Sequence, residues 1–208
     1  MEFSRVRGHA RRGAIVTEFS IVGIGGTTRP DSSGERMTRA VLAAAARRGA
    51  RTQMFGGAAL QALPHFAPES LERTKEQLAL VEAVRAADGL VICSPGYHGG
   101  VSGLVKNAID LLEDLRDDRR SYFDGRAVGL IVVAAGWQAC GSTLNAMRSI
   151  VHAMRGWPTP LGITVNVVAQ PPFGETGNIT DVALAELVEA QAAQILGFAD
   201  KTSSLAIR

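Results

Sequence analysis

The chain has 208 residues, of which 46% are hydrophobic and 20% charged, with a formal net charge of +2. That length allows one domain with a sizeable core, and so small a charge excess gives no reason to expect nucleic acid as a partner. Two cysteines in unrelated contexts, Cys93 and Cys140, make no disulfide framework and read as reduced thiols.

Residues 1–17 carry Arg5, Arg7, Arg11 and Arg12 and no apolar run of the kind a secretory signal needs. They read as a disordered basic arm, and the chain as cytoplasmic. "FSIVGI" (19–24) is a continuously apolar strand. In "ERMTRAVLAAAARR" (35–48), Met37, Val41, Leu42 and Ala45 recur at three- and four-residue steps, which predicts an amphipathic helix stopped by Gly49. "RTQMF" (51–55) is a short strand, and 56–70 a turn-rich loop. A helix is expected from an N-cap at Ser70 to Ala87, with Leu71, Leu78, Val81 and Val84 on one face.

"GLVICS" (89–94) is a buried strand, followed by a helix over 103–115 with Leu104, Val105, Ala108, Ile109 and Leu112 as its apolar face. "AVGLIVVAA" (127–135) and "LGITVNVVA" (161–169) are the fourth and fifth strands, with helices over 142–154 and 180–198. No window reaches the roughly 18 apolar residues of a membrane span. Five apolar strands separated by helices predict an α/β three-layer domain, a parallel sheet with helices on both faces and right-handed crossovers. No second core is visible, so 18–200 reads as one domain and 201–208 as a tail.

Ligands of such sheets bind outside the carboxyl ends of the strands, where strand order reverses. The loops over 25–34, 94–102 and 135–141 are therefore the informative ones. The first, "GIGGTTRPDSSGER", places Thr28 where a dinucleotide fingerprint needs its third glycine, and no acid ends the second strand. A P-loop needs a Gly-Lys pair, which does not occur. What remains is a group of hydroxyls, Thr27, Thr28, Ser32 and Ser33, with Arg29 and a helix start at Gly34. These donors suit a terminal phosphate monoester, which exposes three acceptor oxygens. A solvated capping turn with Arg29 in water is the alternative.

In the second loop, Pro95, Gly96, Gly99 and Gly100 make a turn from which Tyr97 and His98 project a flat and a polar ring. His98 reads as a wall or hydrogen-bond partner rather than a general base. In the third, Gly136 precedes Trp137, which either stacks on a ligand or packs at a subunit contact.

Gly26-Thr27-Thr28-Arg29-Pro30-Asp31-Ser32 follows a G-S-x-R-x-x-S pattern. Pro95-Gly96-Tyr97-His98-Gly99-Gly100, then Gly103 and Lys106-Asn107-Ala108-Ile109-Asp110, follow P-E-Y-N-G-S-x-x-G-x-x-K-N-A-I-D. From about Ser20 to Phe198 the sequence resembles the NADPH-dependent FMN reductase family, flavodoxin-like flavoenzymes that include azo, quinone and chromate reductases. The resemblance implies a flavodoxin-like sandwich with strand order 2-1-3-4-5 and FMN as cofactor. It puts the phosphate in the Thr27–Gly34 loop, the isoalloxazine ring along Pro95–Gly99, and the loop at Gly136 and Trp137 on the ring's other side. Gly96 stands in place of the pattern's glutamate, and Gly34 where an asparagine or threonine often reaches the phosphate.

The same resemblance implies hydride transfer from NADPH or NADH to FMN and on to free flavin, a quinone, an azo compound or a metal oxyanion. It calls for no catalytic side chain and no metal. The small-molecule acceptor would be accompanied by a homodimeric or tetrameric assembly and, as a partner, a flavin-dependent monooxygenase receiving reduced FMN. The alternatives are an FMN-retaining tailoring oxidoreductase and a flavodoxin-type electron carrier; carriers are strongly acidic, whereas this chain has a pI near 8.8.

Overall fold

A computed structural model describes residues 18–206; the basic arm expected over 1–17 lies outside the described residues. In chain order the elements are β1 (Ser20–Gly25), α1 (Ser33–Arg47), β2 (Arg51–Phe55), α2 (Gly57–Gln61), α3 (Lys75–Ala86), β3 (Gly89–Tyr97) and β4 (Gly100–Val101). Then follow α4 (Gly103–Asp110) with a 3-10 turn (Leu111–Leu115), β5 (Ala127–Ala134), α5 (Trp137–Ala153), β6 (Trp157–Asn166) and α6 (Val182–Ala206). The sheet runs β2-β1-β3-β5-β6 with every neighbour parallel. That is the expected 2-1-3-4-5 order, with the two-residue β4 added antiparallel to the end of β3. Strand order reverses at β1, so the connections after β1 and β3 leave in opposite directions and open a crevice at the carboxyl edge.

Both faces of the sheet are covered, which is why β3 and β5 read as unbroken apolar runs. On one face Val22, Ile24, Leu90 and Ile92 pack under α3, α4 and α5 through Leu80, Val105, Leu112 and Met147. On the other, Ile21, Val91 and Ile131 meet Met37 and Val41 of α1 and Val188 and Ile195 of α6.

Four expectations are corrected. α3 starts at Lys75, not Ser70, because Thr74 and Gln77 cap each other reciprocally: Gln77 N–H donates to Thr74 Oγ1 at 3.3 Å and Thr74 N–H to Gln77 Oε1 at 2.9 Å. Ser70 instead closes a local turn with Glu72 N–H, and Leu71, expected on the buried face, is 95% exposed. α5 starts at Trp137, capped by the extended backbone of Gly136, so the third loop shrinks to Ala135 and Gly136. β6 starts at Trp157; Pro158 and Pro160 are tolerated because the strand lies at the sheet's edge. The fourth concerns α6, whose segment Val182–Ser203 is 22 residues long with mean hydropathy 1.3, apolar and long enough for a span by those two measures. Its stripe of Leu184, Val188, Ala192, Ile195 and Ala199 is buried, and Gln191 Nε2 donates to Leu130 O at 3.1 Å and Leu161 O at 3.2 Å. The helix is thus keyed into the fold by both its apolar and its polar side chains, and it continues to Ala206 where the sequence predicts a tail.

Candidate functional site

β1 ends in glycines because the chain must turn sharply and pass close to a neighbour. Gly26 holds φ +141, a region that L side chains rarely adopt. Beyond it, Thr27 Oγ1 accepts the N–H of Arg29 at 3.2 Å, and the buried Ser32 caps α1 by accepting Glu35 N–H at 3.3 Å. Arg36 N–H bonds Ser32 O at 2.9 Å, which leaves the N–H groups of Ser33 and Gly34 as the open donors of the first turn. Arg29 is exposed, and among the described residues no carboxylate pairs with its guanidinium.

The end of β3 supplies the facing wall. His98 at φ +52 and Gly99 at φ +78 form the two-residue turn of a hairpin whose last pair is Tyr97 with Gly100. Positive φ at both positions is what a twist-matched hairpin turn requires, and it leaves Tyr97 59% exposed. The buried Ser94 Oγ accepts Ser102 N–H at 3.0 Å, bracing the hairpin against the start of α4. At Gly96 a Cβ would lie 3.0 Å from Thr143 Oγ1 and 3.1 Å from Ala139 O, so α5 packs directly on the strand and a larger residue would displace it.

These elements enclose a cavity of about 310 Å³ lined by Thr27, Arg29, Ser32, Ser33, Gly34, Pro95, Gly96, Tyr97, His98, Val133, Ala134, Ala135 and Val167. Of the residues singled out in the sequence, Thr28, Gly99, Gly136 and Trp137 do not line it. Thr28 is exposed, Gly99 serves the hairpin turn, and Gly136 and Trp137 belong to the cap and first turn of α5. Val133, Ala134 and Val167 were not singled out, and Ala135 only as the first residue of the third loop; small apolar residues at the carboxyl end of a strand were their only signal. Val167 N–H donates to Ala134 O at 3.0 Å, which brings it alongside β5. Among the described residues no carboxylate lines the cavity, and Arg29 is its one guanidinium.

A larger cavity of about 420 Å³ lies between α1 and α6 beside Arg36, Arg39 and Arg47. Those cations are already engaged: Arg39 by Asp31 and Glu35, Arg47 by Glu189, and Arg36 by the Phe173 ring at 3.8 Å. The smaller cavity, at the sheet's carboxyl edge and with an uncommitted cation, is the candidate site.

Burial pushes the Cys93 thiol up to about 12 and raises that of Cys140, so both are protonated and non-nucleophilic at neutral pH. Asn107 holds the chain before α3: its Oδ1 accepts Phe66 N–H at 2.8 Å and its Nδ2 donates to Pro64 O at 3.1 Å. Lys106 pairs with Asp110 at 2.6 Å. Among the described residues no group of three or more His, Cys, Asp or Glu side chains is placed to hold a metal ion.

Residues 19–170 match the family described as NADPH-dependent FMN reductase. An NADPH azoreductase of Bacillus sp. (strain OY1-2) is 35% identical over 92 residues, 44% of this chain and 48% of the relative. An FMN-dependent NADPH-azoreductase of Staphylococcus aureus (strain USA300) is 34% identical over 98 residues, 47% of this chain and 48% of the relative. The chain thus spans about half the length of these curated relatives. FerB, a flavoenzyme NAD(P)H:(acceptor) oxidoreductase from Paracoccus denitrificans, superposes with a TM-score of 0.68 at 17% identity, covering 89% of this chain and 98% of that one. A flavodoxin, WrbA-like protein from Agrobacterium tumefaciens gives 0.59 at 17% identity, over 89% and 99%. At such identities these likenesses speak to the flavodoxin-like fold alone. The match over 19–170 decides the family: this chain belongs to the NADPH-dependent FMN reductases.

Proposed function

We propose that this chain is an NAD(P)H-dependent flavin reductase that holds FMN in the 310 Å³ cavity. The observation that carries the reading is the cavity's mixed lining: hydroxyls, open helix N–H groups and Arg29 from the loop after β1, and Pro95–His98, Val133–Ala135 and Val167 from the carboxyl ends of β3, β5 and β6. A phosphate dianion gains from the helix N-terminus and from a guanidinium that no carboxylate among the described residues has claimed. Ser33 and the N–H groups of Ser33 and Gly34 supply the remaining donors, and Thr27 joins them when its hydroxyl turns from Arg29 O, 3.4 Å away. Ser32 caps the helix as an acceptor, which leaves its O–H as a further donor.

Bound FMN would supply a hydride-accepting ring atom and return the electrons to a small-molecule acceptor. The protein's own part is to bind, orient and shield. Val133, Ala134 and Val167 exclude water from one side of the cavity, and Tyr97 and His98 leave the other open to an incoming nicotinamide. Thr28, Gly99, Gly136 and Trp137 act at most through the positions of their neighbours. NADPH is the donor that the family name carries, and an azo compound, quinone, flavin or metal oxyanion is the acceptor class. The rest of the reading is a single catalytic domain from 18 to the end of α6, a cytoplasmic setting, and a homodimer or tetramer using the exposed Trp137 near the site. A monooxygenase fed with reduced FMN is the partner this chemistry would serve.

The test is NADPH oxidation by FMN-loaded protein in the presence of a quinone or azo dye. Multiple turnovers are expected; a protein that binds FMN but oxidises no nicotinamide with any acceptor is an electron carrier instead.

A further inference from the structure

Glu35 lies in the first turn of α1 but does not line the cavity. Its side chain is only 15% exposed, and both oxygens are committed: Oε2 accepts the N–H of Gly57 at 3.1 Å, and Oε1 accepts Arg39 Nη2 at 2.7 Å. Arg39 Nη1 then reaches Asp31 Oδ1 at 3.1 Å, and Asp31 holds φ +50 in the loop before the helix. The loop's other limb rests on the same anchor. A Cβ on Gly57 would lie 1.8 Å from Thr27 O, and one on Gly26 would lie 2.7 Å from Gly57 N. A Cβ on Gly56 would stand 3.0 Å from the Glu35 carboxyl carbon. One carboxylate therefore joins the start of α2, on which Gly26 and Thr27 sit, to the arginine that holds Asp31.

We propose that Glu35 is a positioning residue that fixes both limbs of the 26–32 loop in the shape that accepts the FMN phosphate; the inference rests on the FMN reading above. Its physical interest is a conflict of signs. A carboxylate in the first turn of α1 repels an approaching phosphate, so charge alone predicts that neutralising Glu35 tightens FMN binding. Positioning predicts the reverse, because glutamine has one acceptor oxygen for two donors and must turn its NH2 group on either Arg39 or Gly57 N–H.

The experiment measures dissociation constants of FMN and of riboflavin, which lacks the phosphate, by flavin-fluorescence quenching for wild type, Glu35→Gln and Gly57→Ala. Gly57→Ala changes no charge and pushes on Thr27 O directly. The expected result is FMN affinity lower by about tenfold or more in both variants, the scale of a lost charge-assisted hydrogen bond, with riboflavin affinity unchanged. Glu35→Gln binding FMN as tightly as wild type or tighter overturns the proposal alone. Equal losses for FMN and riboflavin also overturn it, since they show a general loosening rather than a set phosphate loop. A wild type that binds FMN and riboflavin equally overturns the phosphate reading itself, and the proposal with it.

Discussion

Two arginines at opposite ends of one sheet show how differently this protein treats a guanidinium. Arg126, just before β5 at the amino-terminal edge, is 0% exposed. Its Nε donates to Ala87 O at 2.9 Å, Nη2 to Arg85 O at 2.8 Å and Nη1 to Tyr122 O at 2.9 Å. Burial, and then the nearby Arg120, pull its pKa down to about 10, which still leaves it charged at neutral pH. Arg29, at the carboxyl edge, is exposed beside open helix donors with no carboxylate partner among the described residues. Where the chain saturates the cation with its own carbonyls, the residue is architecture. Where it leaves the cation at the rim of a cavity with no carboxylate partner among the described residues, the proposed partner is the FMN phosphate.

The comparison breaks if stability and flavin binding fail to separate along it. The largest effect is expected at the architectural end: Arg126→Ala opens a cavity and strands three carbonyls, costing about 3–5 kcal/mol. Urea unfolding reads this, and the fraction that remains folded should bind FMN as wild type does. Gly96→Ala sits between the two classes, because a methyl there presses on Thr143 and Ala139 of α5 while its strand lines the cavity. About 1–3 kcal/mol of stability should be lost, with FMN and riboflavin weakened alike. Tyr97→Ala, at an exposed rim position, should leave the unfolding midpoint unchanged and weaken both flavins by about 0.5–1.5 kcal/mol, the worth of an aromatic contact. Equal flavin binding by the tyrosine variant and wild type would remove Tyr97 from the ring end of the site.

What the sequence made legible follows the range over which each feature is determined. β1, β3 and β5 stood out because burial on both faces leaves no polar alternation, and α1 because Met37, Val41, Leu42 and Ala45 all turn to the core. The polar lining contributed by the first loop was equally legible, since Thr27, Arg29, Ser32 and Ser33 lie close together in the chain beside a helix start. The start of α3 was not: Ser70 and Thr74 are both capping types, and the reply from Gln77 decides between them. The start of α5 was hidden by a glycine cap that carries no side-chain signal. Arg126 and Glu35 were invisible for a deeper reason. The partners of Arg126 include carbonyls 39 and 41 residues away, and that of Glu35 an amide 22 residues away, and they meet only once the sheet is assembled. The same holds for Val133–Ala135 and Val167, which read as strand ends until the crevice gives them a common wall.

On the proposed reading, Arg29, which pairs with no carboxylate among the described residues, marks the phosphate end of a flavin site. That assignment is tested most directly by the dissociation constants of FMN and riboflavin for wild type and Arg29→Ala. Wild type should prefer FMN, and Arg29→Ala should lose roughly 1.5–3 kcal/mol of FMN affinity, the scale of a charge-assisted hydrogen bond. Riboflavin affinity and thermal stability should both stay unchanged. An FMN preference that survives the substitution intact would contradict the assignment, because the guanidinium would then face only water.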